Sequence, residues 1–296
     1  MEPPLKAQKV GHQHVPGLVA YGRNDSERAL PATHTSNFMA LHTWQTRWHT
    51  LLEKITRMQT HAQLQEYLQQ LTTAGSPHVL AFVNAHAMNS AATSDHFYKA
   101  LTSADTLLRD GSGMATLFKM MSLQPGLNLN GTDLIPKIIH CFNGQPIALY
   151  GTEEPYLGQC RSTVHASIAP LSELQTANGF LPIANYIELA QSHRPRLIVL
   201  GMGMPKQEEV AAELRKHITS KCLIVCGGAI IDFLGNRVSR APRWMRQIGI
   251  EWLYRLALEP RRLFKRYVLG NPLFILRAHA LRTNKTNIPF KNDSAN

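Results

Sequence analysis

Arg196-Leu-Ile-Val-Leu200, followed at once by Gly201-Met-Gly-Met-Pro-Lys-Gln-Glu-Glu209, is the stretch on which the fold turns. Four consecutive aliphatic residues with no polar alternation suit a strand buried on both faces, as strands of parallel sheets are. The glycines then predict a tight turn. Glu208 to His217 predicts a helix with Pro205 near its start. Strand, glycine-rich turn and helix in that order are half of a β-α-β unit.

The theme recurs on both sides. His78-Val-Leu-Ala-Phe-Val83, Thr106-Leu-Leu108, Ile147-Ala-Leu-Tyr150 and Cys222-Leu-Ile-Val-Cys226 are further short apolar runs. Between Trp44 and Leu71 the spacing of Leu51, Leu52, Ile55 and Met58, then of Leu64, Tyr67, Leu68 and Leu71, is helical, until Gly75-Ser-Pro77 stops it. Asn84 to Ala100 reads as a loop and helix, and Met114 to Met121 as a helix. Strands alternating with helices predict an α/β fold, a Rossmann-like parallel sheet with helices on both faces. Such sheets bind ligands at the carboxyl ends of their strands. The residues just past the apolar runs, Asn84, Asp110, Gly151, Gly201 and Gly227, are therefore the first site candidates.

The composition supports a folded chain. Of 296 residues, 44% are hydrophobic and 17% charged, which excludes wholesale disorder. Four cysteines make no disulfide framework, and Cys222 and Cys226 read as buried small hydrophobes. No signal-peptide core or run of 18 apolar residues is evident, so the expected location is cytoplasmic, in solution or on a membrane surface. The net charge of +11 is concentrated. From Arg237 to Arg282 there are eleven Lys and Arg against Glu251 and Glu259, so this stretch holds nine of the eleven net positive charges. It predicts an anionic partner. The expected organisation is a flexible extension over 1–45, the α/β domain over 46–236 and a basic helical appendage over 237–296, the α/β domain folding without the appendage. His12, His14 and His34 could ligate a metal, but a solvated polar tail is the favoured reading.

Three strand-end loops carry chemistry. Asp110 precedes Gly111-Ser-Gly113, where backbone can approach a ligand closely, so it is a general base or the cap of the next helix. Gly201 to Gln207 is a phosphate-binding turn or a tight packing turn; Lys206 stands where a dinucleotide fingerprint has its third glycine. Asp232, after Gly227-Gly228, could touch a ribose or cap a turn. There is no D-x-D, the usual metal anchor of sugar-nucleotide enzymes, so a bound diphosphate needs other neutralisation. The appendage can supply it. Leu263, Phe264, Tyr267 and Val268 form an expected apolar stripe, with Arg261, Arg262, Lys265 and Arg266 opposite and Pro260 in the first turn. Such a helix can also lie on an anionic membrane.

At these motifs the chain resembles the WecG/TagA/CpsF family of bacterial glycosyltransferases, over roughly residues 78 to 275. The likeness rests on Val83-Asn-Ala85, Leu108-Arg-Asp-Gly-Ser-Gly113, Asn130-Gly-Thr-Asp-Leu134, Leu200-Gly-Met-Gly-Met-Pro-Lys-Gln-Glu208 and Gly227-Gly-Ala-Ile-Ile-Asp-Phe233. Arg240-Ala-Pro-Arg-Trp-Met-Arg246, Glu251-Trp-Leu-Tyr-Arg-Leu256, Glu259-Pro-Arg-Arg262, Tyr267 and Gly270-Asn-Pro272 continue it. The resemblance implies an inverting, metal-independent transferase with no cofactor. It would move a hexose-type sugar (N-acetylmannosamine, its uronic acid or glucose) from a UDP-sugar to an undecaprenyl-diphosphate-linked sugar at the inner membrane face. It implies Asp110 as the base and places Asn84 and Gln207 in the sugar pocket. Gly111, Gly113, Asp133, Gly201, Gly203, Gly228 and Asp232 complete the expected substrate site. Arg255, Arg262, Lys265 and Arg266 are implied at the diphosphate or membrane. Phe82 stands where the family commonly has Thr, and Asn128 where it commonly has a basic residue, which leaves the donor open. A homo-oligomer is possible.

Two rivals follow from the fold class and charge alone. One is a nicotinamide-dependent oxidoreductase, opposed by the missing third glycine. The other is a non-enzymatic nucleic-acid or membrane binder; no nucleic-acid-binding signature is evident, so no nucleic-acid partner is expected.

Overall fold

The computed structural model describes residues 43–73 and 75–283. The extension with His12, His14 and His34 lies outside them. Among the described residues the sheet has seven strands: β1 (Ile55–Thr56), β2 (His78–Val83), β3 (Thr106–Arg109), β4 (Ile147–Gly151), β5 (Leu174–Ala177), β6 (Leu197–Gly201) and β7 (Leu223–Cys226). All pair in parallel in the order β1-β3-β2-β7-β6-β4-β5. This is the expected Rossmann-like α/β sheet.

The helices are α1 (Trp44–Lys54), α2 (His61–Thr73), α3 (Ala85–Thr93), α4 (Asp95–Thr102), α5 (Ser112–Met120), α6 (Gly131–Cys141), α7 (Tyr156–Ser167), α8 (Ile183–His193) and α9 (Lys206–His217). After β7 come α10 (Ile230–Leu234), α11 (Arg243–Gln247), α12 (Glu251–Leu258), α13 (Pro260–Phe264), a π-helical turn (Lys265–Leu269) and α14 (Gly270–Thr283). The helical stretch expected over Trp44 to Leu71 is broken at Ile55–Thr56, whose extended backbone pairs with Leu107 and Leu108 at the sheet edge. Asn84 to Ala100 holds two helices, because Ser94 ends α3 and caps α4.

The continuous apolar strands are explained by two cores. Val79, Ala81, Val83, Ile198, Leu200 and Ile224 face one core; Leu80, Phe82, Leu197, Val199, Leu223 and Val225 face the other. Alternate side chains thus go to opposite faces, and both faces are covered. Cys222 and Cys226 are buried with the first set. The last helix belongs to that same core: Phe274, Ala278 and Leu281 are buried there, and Phe274 packs on Trp48 with ring centroids 5.3 Å apart. The appendage, expected as a separate unit over 237–296, thus contributes α14 to the core of the α/β domain.

The topology positions a cleft. From the adjacent pair β4 and β6 the chain leaves in opposite directions, β4 to β5 and β6 to β7, so their loops diverge. Gly151 and Gly201 lie side by side at this point; a Cβ on Gly151 would sit 2.4 Å from the Gly201 carbonyl oxygen, so only glycine permits the approach.

Candidate active site

Two cavities open at the carboxyl ends of the strands and meet at Asp110. The smaller, about 380 Å³, lies over the diverging loops and is walled by Thr152, Gly201, Gly203, Gln207, Gly228 and Asp232. The larger, about 650 Å³, lies between α3, α5 and the basic appendage. Six residues line both: Asn84, Asp110, Thr132, Phe233, Arg255 and Arg266.

Asp110 follows β3, and its N–H bonds the Val83 carbonyl at 2.9 Å, which ties the ends of β2 and β3 together. Asn84 uses both ends of its amide. Its Oδ1 accepts from the Ala87 N–H at 3.0 Å and caps α3, while its Nδ2 donates to Asp110 Oδ2 at 3.2 Å. A helix cap thus also aims the carboxylate. Burial raises the Asp110 pKa above the usual carboxylate range; the Asn84 hydrogen bond and the charges of Arg266, Arg109 and Arg255 oppose that rise. The result is a carboxylate more basic than an ordinary Asp, facing both chambers. Asp110 does not cap α5; Gly111 occupies that position, with φ +85, a value that side chains rarely adopt.

The loop beyond Asp110 is held by a residue the sequence reading did not single out. Arg109 donates to the carbonyls of Pro125, Gly111 and Gly126 at 2.9, 3.1 and 3.0 Å. Asn128, at the position of the family's basic residue, accepts from the Gly111 N–H at 3.0 Å. Its role here is to hold the loop in place, with no charge. Gly113 faces Ala85 and Phe274 at distances where a Cβ would make ordinary contact, so packing does not require glycine there.

In the smaller chamber, Gln207 is almost wholly buried and its amide is committed. Oε1 accepts from the Gly228 N–H at 2.8 Å, and Nε2 donates to Glu208 Oε1 at 2.7 Å. Asp232 accepts from the Thr152 hydroxyl at 2.6 Å, and Arg237 donates to that hydroxyl at 3.0 Å. Thr152 was not singled out, although its place directly after Gly151 at a strand end was a usable signal.

The basic appendage turns much of its charge inward. Arg255 stacks over Phe233 at 5.2 Å and lies 3.7 Å from Glu259; Arg262 bonds the same carboxylate at 2.5 Å and borders the smaller chamber. Arg266 is buried deeply enough that its guanidinium pKa is lowered, and its Nε, like that of Arg255, has no hydrogen-bond partner among the described residues. Buried, unpaired guanidinium N–H groups beside an open cavity suit an anionic ligand. Lys265 is exposed and lines neither chamber. The expected apolar stripe is corrected as well. Leu263 is buried with Arg266 and Tyr267 on its side of the helix, whereas Phe264 and Val268 are exposed. The helix is rotated from the sequence assignment because the cleft takes the 263/266/267 face.

Asp133 lines the larger chamber, and its carboxylate is already paired. Asn130 caps α6 through the Asp133 N–H, and the Asp133 carboxylate binds Arg240 at 2.5 Å with Arg246 3.7 Å away. Burial works against its charge, but the Arg240 and Asn130 hydrogen bonds win and hold its pKa below the usual range. It anchors the appendage at the rim of the larger chamber.

The fold and site are thus a parallel α/β sheet with a carboxylate between two arginine-flanked chambers at its carboxyl edge. The chain belongs to the glycosyl transferase WecG/TagA/CpsF family, which it matches over residues 50–287. It is 24% identical over 211 residues to the N-acetylglucosaminyldiphosphoundecaprenol N-acetyl-beta-D-mannosaminyltransferase of Bacillus subtilis (strain 168), covering 70% of this chain and 81% of that one. Proteins of the same description from Staphylococcus aureus strains MRSA252 and NCTC 8325 are 25% and 26% identical, each alignment covering 61% of this chain and 72% of theirs. The chain is thus a glycosyltransferase of cell-envelope polysaccharide synthesis. No finding supports the nicotinamide reading.

Proposed function

We propose that the protein transfers a hexose-type sugar from a UDP-sugar to an undecaprenyl-diphosphate-linked sugar, with inversion and without a metal. The observation that carries this reading is the junction of two chambers at Asp110. A direct displacement needs donor and acceptor on opposite sides of the reacting carbon, with the base beside the acceptor oxygen. The smaller chamber suits the donor, since it lies at the diverging β4 and β6 loops where nucleotides bind parallel sheets. The larger then takes the acceptor. N-acetylmannosamine is the favoured donor sugar, since the B. subtilis and S. aureus relatives carry that activity in their descriptions.

In this mechanism the acceptor hydroxyl oxygen bonds to the anomeric carbon as its proton passes to Asp110. The bond from that carbon to the β-phosphate oxygen breaks, and the electron pair leaves with UDP. Arg255, Arg262 and Arg266 stabilise the growing charge on the diphosphate, the role a divalent cation has elsewhere.

The same appendage supports a peripheral position on the inner face of the cytoplasmic membrane. Leu258, Phe264, Leu269, Leu273 and Leu276 are exposed on it, with Arg261 and Lys265 among them. No helix among the described residues is long and apolar enough to cross a membrane. The deciding experiment is a panel of UDP-sugars assayed for UDP release with a lipid-diphosphate-sugar acceptor, with and without chelator. Release from one UDP-hexose in the presence of chelator is the expected result. Strict metal dependence overturns the arginine-only mechanism, and no release from any UDP-sugar overturns the donor class.

A further inference from the structure

His86 has no part in the chemistry described so far. It is the second residue of α3, the helix whose cap, Asn84, holds Asp110. Its side chain lines the larger chamber and not the smaller one. Among the described residues nothing hydrogen-bonds its ring. Burial, and then the charge of Arg266, push its pKa down to about 4, so the ring is uncharged at neutral pH. It therefore offers one N–H donor and one nitrogen acceptor.

An uncharged imidazole beside a guanidinium is poorly matched to phosphate, which the arginines already attract. It is well matched to a sugar, whose hydroxyl and amide groups both donate and accept. The chamber carries charge as well, at Asp133, Arg243, Arg246 and Glu251 besides Asp110, Arg255 and Arg266, but it also presents uncharged groups suited to a sugar. Ser112, Thr116 and Asn271 bring uncharged polar groups, while Trp252 and Tyr267, with ring centroids 5.8 Å apart, offer apolar surface for a pyranose face. Building on the donor and acceptor assignment above, we propose that His86 hydrogen-bonds the terminal sugar of the lipid-linked acceptor and determines which sugar is accepted. It is a specificity residue for the acceptor and has no contact with the UDP-sugar.

The test compares His86→Ala and His86→Gln with the wild-type chain. Calorimetry measures binding of UDP, then of N-acetylglucosaminyl diphosphate on a short prenyl chain in the presence of UDP. Kinetics with UDP-N-acetylmannosamine and that acceptor separate KM from kcat. Loss of one neutral hydrogen bond predicts acceptor affinity weaker by roughly fivefold to tenfold in His86→Ala. UDP affinity and kcat at saturating acceptor stay within about twofold, and Gln, uncharged with both a donor and an acceptor, restores most of the loss. Unchanged acceptor affinity in His86→Ala, a fall in UDP affinity or kcat alongside it, or no recovery with Gln overturns the proposal. If the wild-type chain itself binds UDP but not the acceptor probe, the chamber assignment falls and the His86 role with it. If the wild type binds both and His86→Ala matches it, the His86 role alone falls.

Discussion

Replacing Arg266 by Met, which keeps much of the volume and removes the charge, tests how the cleft sets its own chemistry. Arg266 acts twice. Its charge is the largest ionic influence that keeps the raised Asp110 pKa from rising further, and its side chain lines both chambers, where it can meet the diphosphate. The sign for the first effect is definite. Without the cation, burial of Asp110 is less opposed, its pKa rises, and less of it is ionised at neutral pH. The acid limb of the pH–rate profile therefore moves to higher pH. The second effect is the loss of one charged hydrogen bond in the transition state, about 1.5–3 kcal/mol, or roughly a 10- to 150-fold drop in kcat at the pH optimum. The assay is UDP release across pH 5 to 9 for Arg266→Met and for Lys265→Met as a comparison. Lys265 points away from both chambers, so its variant keeps the wild-type profile. An acid limb that stays in place or moves to lower pH in Arg266→Met refutes the reasoning, as does an effect of Lys265→Met as large as that of Arg266→Met.

Three other outcomes follow. Glu208 is buried, with its pKa pushed up to about 8 from 4.5, so the folded state holds a proton that the unfolded state releases. That stability is fully present below about pH 4.5 and is lost as pH rises to about 8, by at most roughly 5 kcal/mol; denaturant titrations show Glu208→Gln free of this decline. Phe274→Ala costs about 3–5 kcal/mol because it empties the site between α14 and Trp48, measured as a lower midpoint of urea unfolding. Leu269→Asp with Leu276→Asp weakens sedimentation with anionic vesicles while turnover on a short-chain acceptor is unchanged, since both side chains are exposed and line neither chamber.

The strands were legible because β2, β4, β6 and β7 are unbroken apolar runs, which burial on both faces demands. Asn84 was legible for the same reason, since it directly follows β2; Asp110 was legible from its place after the short β3 and before Gly111-Ser-Gly113. Edge and capping features were not. β5 carries Gln175 and Thr176, half-buried at the sheet margin, and so shows no apolar run. The Ile55–Thr56 strand lies inside a helical spacing and is recruited by pairing with β3. Pro136 lies inside α6 and obscured that helix. The appendage was read as basic, correctly, but the sequence could not decide which face turns inward. That rotation depends on Leu263 docking and on the π-helical turn, and it separates Arg266 from Lys265. The committed hydrogen bonds of Gln207 and Asp133 depend on distant partners, Gly228 and Arg240, and no local pattern signals them.

The central claim is that the Asp110 carboxylate takes the acceptor proton. The most direct measurement pairs UDP binding by calorimetry with single-turnover transfer, both on Asp110→Asn. Asn is nearly isosteric and can still accept from Asn84, so UDP affinity stays within about threefold while turnover falls ~10²–10⁴-fold. Turnover at the wild-type rate in that variant contradicts the claim.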